Sequence, residues 1–349
     1  MPFVFSRSAI AAALAAAALV HSGPSQAQNF ENLFKGRTVT IVHGFGVGGT
    51  YGLYGLGISR HLGRHVPGNP NIIVQSMPGA GGIKATNYAY NVMPKEGLYW
   101  FMPPDSIVIS NLLQRDKVKY QADKFQYLGT STQTNGVVVV RSDTGIRTVA
   151  DLGKKQIIAS SSGTGSQTFL IPALMNAVFD AKFRIVTGYK GSAGVAHAIE
   201  QKEADGSSLT WTAWNTVKPD WFKTGFARPI VQVGVRKDPR LPDLPLAVDL
   251  AKNADDRKIV NFISSLGPVG RGLALPPGVP KALVAALRQA FDATMADPAF
   301  LADAKDKHMD LDPMKGAELQ GIIEDMMKIS PELVDRAKTL IMDKGRGRR

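Results

Sequence analysis

The sequence predicts an α/β fold in two halves. Three observations carry that prediction: β-favouring runs alternate with helical segments from Thr38 onward, the alternation restarts near Asn135, and glycine-rich turns recur where strands hand over to helices. A largely parallel sheet covered by helices on both faces accommodates this order in each half.

The elements follow in order. Thr38 to His43 reads as a strand, Thr50 to about Arg64 as a helix, Asn71 to Gln75 as a strand, Gly82 to about Val92 as a helix, and Leu98 to Met102 as a strand. The run Gly136-Val-Val-Val-Val-Arg141 opens the second half as an apolar strand, and Val149 to Leu152 makes a helical turn. Gln156 to Ser160 then gives a strand, Ser166 to about Phe179 a helix, Phe183 to Thr187 a strand and Ser192 to about Lys202 a helix. A strand near Ser208 and another from Arg228 to Arg236 lead into a proline-rich connection over 238–245, the composition of a crossing between domains. Pro280 suits a helix start, and Leu283, Val284, Leu287, Phe291 and Met295 then repeat on one face, as core residues do. Met326, Met327 and Leu333 are also read as core.

The 349 residues include an N-terminal apolar run, AIAAALAAAALV over 9–20, preceded by Arg7 and followed by Ser25-Gln-Ala27. That pattern is an export signal over 1–27 cleaved near Ala27; it is too short and too alanine-rich for a membrane span. The absence of cysteine suits an oxidising compartment, and the expected location is periplasmic. Net charge is +12, or +11 once Arg7 is removed, but the dense basic cluster is confined to the tail Lys344–Arg349. No basic stripe interleaved with aromatics supports nucleic-acid binding. A monomer is the default expectation.

Gly44, Gly46 and Gly49 in IVHGFGVGGT fit the spacing of a dinucleotide loop. The acid that should follow about 20 residues later is missing, since no Asp or Glu occurs between Glu31 and Glu96, and Thr50 stands where a phosphate loop needs lysine. An NADP site using Arg60 or Arg64 is the enzyme alternative, which an export signal disfavours. Similar turns recur at Pro78-Gly-Ala-Gly-Gly82, Ser160-Ser-Ser-Gly-Thr-Gly-Ser166 and Tyr189-Lys-Gly-Ser-Ala193. Each places free amide N–H groups and a helix dipole at the carboxyl end of a strand, so two such halves facing each other make a cleft suited to a carboxylate. No cofactor is expected.

At these loops the chain resembles the receptor proteins of tripartite tricarboxylate transporters, the Bug-type solute-binding family. The matching stretches are GFGVGGTYGLY (44–54), VQSMPGAGG (74–82), PKEG (94–97), ASSSGTGSQTFL (159–170), GYKGSAGVAHAI (188–199), RLPDLPLAVDLAK (240–252) and LALPPGVPKALVAAL (273–287). The resemblance implies a class II periplasmic-binding-protein fold: two doubly wound lobes, 28–135 plus 237–349 and 136–236, joined by hinge strands with a ligand cleft between them. It implies a receptor for a small organic carboxylate with a membrane permease as partner, and no enzymatic role; a receptor domain repurposed for signalling is a further alternative. Carried over by position, Gly48, Gly49, Thr50 and Tyr51 line one side with Ala80 and Gly81. Ser161, Ser162, Thr164, Gly165, Ser166 and Gln167 line the other with Tyr189 and Lys190, and Thr210 and Trp211 adjoin. Relatives commonly carry an acid where Gly52 stands.

Single residues add little beyond this. His43, His61, His65, His197 and His308 form no metal motif, and no nucleophile elbow surrounds Ser161 or Ser166. His43, at the end of the first strand, is the histidine nearest the expected cleft. Lys190 offers a charge, and Trp211 or Trp214 an aromatic face. Hinge motion is expected at Gly136 to Arg141 and Val231 to Arg236.

Overall fold

The computed structural model describes residues 25–345. The expected export signal lies outside them except for Ser25–Ala27, which begin the helix α1, Ser25–Phe34; the end of the basic tail lies outside as well.

The strands are β1 Thr38–His43, β2 Asn71–Ser76, β3 Tyr99–Met102, β4 Gln126–Thr130, β5 Gly136–Arg141, β6 Ile157–Ser161, β7 Phe183–Thr187, β8 Gly206–Thr210, β9 Ala227–Val233, β10 Gly272–Leu275 and β11 Met314–Lys315. They form two sheets, in the orders β11-β4-β10-β3-β1-β2 and β7-β6-β8-β5-β9. In the first sheet β1 pairs parallel with β2 and β3, while β10 lies antiparallel between β3 and β4. In the second, β6 pairs parallel with β7 and β8, while β5 lies antiparallel between β8 and β9. Each sheet therefore repeats one plan: a parallel trio, then an antiparallel strand that is the first the chain lays down after crossing from the other sheet.

Burial explains the strand sequences. All six residues of β5 are buried, as are five of six in β1, so both read as near-continuous apolar runs. Helices α2 Thr50–Leu62, α3 Ile83–Asn91 and α4 Ile107–Leu113 follow the trio of the first sheet; α5 Gln167–Val178, α6 Ser192–Glu200 and α7 Trp211–Val217 follow that of the second. One buried cluster beside the first sheet gathers Tyr54, Trp100 and Phe300 with the expected stripe Leu283, Val284, Leu287, Phe291 and Met295. A larger one runs through both halves, joining Val42 and Phe101 to Leu170 and Leu174 and to Ile259, Ile263 and Ile341 from the last third of the chain. The helix Ala254–Ser264 and the closing turn Lys338–Lys344 both pack on α5, bracing the second sheet from outside its own stretch of sequence.

The hinge expectation needs correction. Gly136–Arg141 is β5, paired on both edges and wholly buried, so it cannot absorb a bend. The first crossing falls in 131–135, and the expected strand to Arg236 stops at Val233. Gln232 ties the two crossings together. Fully buried, it accepts hydrogen bonds from Asn135 Nδ2 and Asp238 N, both 2.8 Å, and donates to the carbonyls of Leu241 at 2.9 Å and Leu244 at 2.8 Å.

Candidate functional site

The carboxyl ends of both parallel trios face each other, which is where an open α/β sheet presents helix N-termini and loops to a ligand. The starts of α2 (Gly49, Thr50, Tyr51), α5 (Ser166, Gln167, Thr168) and α6 (Gly191, Ser192) line one cavity of about 30 Å³, together with Phe45, Asp105, Ser162, Leu209, Ala213 and Arg271. Aligned peptide dipoles give each helix start partial positive charge, so the cavity is electropositive before any side chain is counted.

Of the positions carried over from the resemblance, Gly49, Thr50, Tyr51, Ser162, Ser166 and Gln167 line this cavity. The remaining ones stand around it. Gly48, Ala80 and Lys190 are exposed, and Tyr189 reaches outward to Glu203, 3.4 Å away. Ser161 is buried behind the lining with its hydroxyl 3.1 Å from that of Thr168. Trp211 packs on Phe222 with ring centroids 4.9 Å apart, and Trp214 is buried with its indole N–H on the carbonyl of Val137 at 3.0 Å. The aromatic wall is instead Phe45 and Tyr51, centroids 4.3 Å apart.

Several amides expected to meet a ligand meet the facing half of the protein. Gly46 N donates to Lys190 O at 3.2 Å, Gly81 N to Ser162 O at 3.1 Å, and Thr50 N to Ser192 Oγ at 3.0 Å. Gly165 and Thr164 meet α4 and its flank, where Ser106 and Ser110 hydroxyls donate to Gly165 O and Gln114 Nε2 donates to Thr164 O at 2.9 Å. This is a closed cleft. The loops contribute as much to holding the halves together as to framing the cavity.

Two charged residues in the cavity escaped the sequence reading. Arg271 is 2 % exposed, with its guanidinium 5.0 Å from the Tyr51 ring centre, Nη2 donating to Thr210 Oγ1 at 2.9 Å, and Nη1 3.6 Å from Asp105 Oδ2. Its φ of +56° is a conformation that non-glycine residues rarely hold, a local strain of the kind that accompanies functional positions. Asp105 is buried beside it, and burial raises its carboxyl pKa against the opposing pull of Arg271. Asp105 had a topological signal, since it follows β3 at the carboxyl end of the trio. Arg271 had none beyond its place between two glycines.

His43 is fully buried under the loop, not in the cavity, and stacks on Tyr51 at 6.5 Å between ring centres. Burial lowers its pKa from 6.5 to about 4, so it stays neutral near neutral pH. Unfolding frees the ring, and between pH 6.5 and 4 the unfolded chain binds the extra proton; the associated stability is full above 6.5 and declines by about 3 kcal/mol as pH falls to 4. Urea unfolding at pH 7 and pH 4.5 should show that slope, and His43→Phe should flatten this part of it. An unchanged slope in the variant would assign the pH dependence to other groups.

At Gly52 the backbone leaves no room for a side chain: an added Cβ would lie 2.0 Å from the carbonyl oxygen of Val47. The loop folds back over this position, so an acidic side chain is excluded here. The oxidoreductase alternative also loses its cations. Arg60 lies 3.7 Å from Asp303, and Arg64 pairs with Asp297 at 2.6 Å, the first in the last turn of α2 and the second just past it, at the end far from the glycine loop. His61 and His65 join the same two carboxylates at 3.3 and 2.7 Å, an ion-pair network rather than a metal site.

Two sheets of matching plan, joined by crossings and closed over a cavity at their carboxyl ends, define a class II solute-binding protein. The family model described as tripartite tricarboxylate transporter family receptor matches residues 55–345, and the chain belongs to that family. Solved structures agree on the fold. BugD, a periplasmic binding protein, superposes with a TM-score of 0.71 at 18% identity, covering 87% of this chain and 98% of its own. MatC of Rhodopseudomonas palustris with bound malate gives 0.68 at 19% identity over 85% and 99%, and a second R. palustris protein, with adipate, gives 0.67 at 17% over 87% and 98%. No curated protein sequence matches the chain. Family and neighbours are solute-binding receptors, and the protein is one of these rather than an enzyme. Among the described residues no helix is long and apolar enough to cross a membrane.

Proposed function

We propose that the protein is an exported periplasmic receptor that captures a small organic carboxylate between two lobes, 28–135 plus 237–349 and 136–236, and presents it to a membrane permease of the tripartite tricarboxylate type. The observation that carries this reading is the convergence of three helix N-termini from the two sheets, with a buried arginine, on one small cavity. Malate and adipate in two structural neighbours support the ligand class. Closure holds the ligand by neutral donors such as the hydroxyls of Thr50, Ser162, Ser166 and Ser192 and by the side-chain amide of Gln167, while Phe45 and Tyr51 select among ligand bodies. No covalent step is involved.

A thermal-shift screen over mono-, di- and tricarboxylates tests the reading. A ligand at about 100 times its dissociation constant adds roughly 2.7 kcal/mol to stability, a shift well above noise. Shifts with neutral sugars or amines and none with any carboxylate would reject it.

A further inference from the structure

Resting on the carboxylate-receptor reading, we propose that Arg271 and Asp105 are the specificity-determining pair of the cavity: Arg271 takes a ligand carboxylate, and Asp105 selects ligands bearing a hydroxyl or ammonium donor on the neighbouring carbon. The pair is placed for this. Both residues line the cavity, and both are buried. Arg271 is under-used within the protein. Its Nη2 donates to Thr210 Oγ1, its Nη1 stands 3.6 Å from Asp105 Oδ2, beyond hydrogen-bond distance, and its Nε has no partner at all.

A guanidinium offers a planar fork of N–H donors matched to a carboxylate, and removing it from water without filling that fork is costly. A carboxylate entering the cavity supplies the missing acceptors. The strained backbone at Arg271 places that fork where β10 begins, immediately after the chain has returned to the first sheet. Thr210, on the second sheet, already touches it, so the contact spans the cleft and reports closure.

Asp105 then decides which carboxylate is accepted. Its backbone N–H is committed to Tyr51 Oη at 2.9 Å, leaving the carboxyl beside Arg271 as the acid facing the ligand. A plain carboxylate lying on Arg271 would bring oxygen against oxygen at Asp105. A donor on the adjacent carbon converts that repulsion into a hydrogen bond, and the low-dielectric surroundings enlarge the difference.

Succinate, malate and aspartate make the test, because they share a carbon skeleton and differ only in having hydrogen, hydroxyl or ammonium beside one carboxylate. Calorimetric titration of the full chain should rank malate or aspartate above succinate by on the order of tenfold. The paired substitution Arg271→Gln with Asp105→Asn keeps the aspartate's shape, shortens the arginine to a neutral polar side chain and removes both charges together, so no uncompensated buried charge threatens folding. It should melt cooperatively and lose affinity for the best of the three by on the order of 100-fold. Asp105→Ala should abolish the ranking while retaining carboxylate binding.

Affinity within threefold of the parent in the paired variant, or a parent that prefers succinate, overturns the inference and leaves the receptor reading intact. A parent that binds no member of a broad carboxylate set defeats that reading and this inference with it.

Discussion

Gly165→Val is expected to leave the protein folded and to cut carboxylate affinity by on the order of 100-fold, about 2.7 kcal/mol. Gly165 does not hold a left-handed φ, so the substitution brings no backbone strain of that kind. What it brings is contact across the cleft: a Cβ there would lie 2.5 Å from Ile83 Cγ1 and 2.7 Å from Ala80 O, on the facing loop. The same loop is held to the facing half by the hydroxyls of Ser106 and Ser110, which donate to Gly165 O. Opening the cleft relieves the clashes with Ile83 and Ala80, so the variant favours the open form and ligand binding must work against it. Small-angle scattering should show the parent contracting with ligand and the variant failing to contract. Parental affinity together with parental contraction would mean that this loop does not set closure.

The second large effect concerns stability. Gln232→Leu should cost about 2–4 kcal/mol and lower the melting temperature by roughly 3–6 °C, because a side chain of similar size fills the space but removes four hydrogen bonds: Asp238 N and Leu244 O are left without a partner, while Asn135 Nδ2 keeps Arg236 O and Leu241 O keeps Leu244 N. Those groups belong to both crossings: Asn135 on the first, and Asp238, Leu241 and Leu244 on the second. Gln232→Glu separates geometry from chemistry. It keeps the acceptors for Asn135 and Asp238 but turns an acceptor toward the carbonyls of Leu241 and Leu244, so it should also destabilise. A loss below about 1 kcal/mol for Leu would show that water takes over these hydrogen bonds.

Much of this was legible in the sequence because the parallel trios obey local rules. Thr38–His43 and the β-branched run Val137–Val140 announce buried strands, and the glycine turns after them announce helix starts. The elements that went unread are short or ambiguous. Gly272–Leu275 and Gln126–Thr130 offer four and five residues, too few for a period to show, and Ile107–Leu113 is β-branched at its start yet helical. The glycine loops were located correctly in the topology, but no sequence rule says which amides a closed cleft assigns to its own far side. Arg271 was invisible for a different reason: it belongs to the cavity only through β10, a strand inserted by a late crossing and far in sequence from the loops it meets.

That insertion also constrains the order of assembly. The second sheet draws all its strands from residues 136–233, whereas β3 and β4 of the first are held apart by β10 at 272–275. A chain emerging from its N-terminus can complete the second sheet while the first still has a gap in the middle. The half that enters first is therefore the half that finishes last, and it waits unfinished, with two open strand edges, until the chain has delivered residues 272–275.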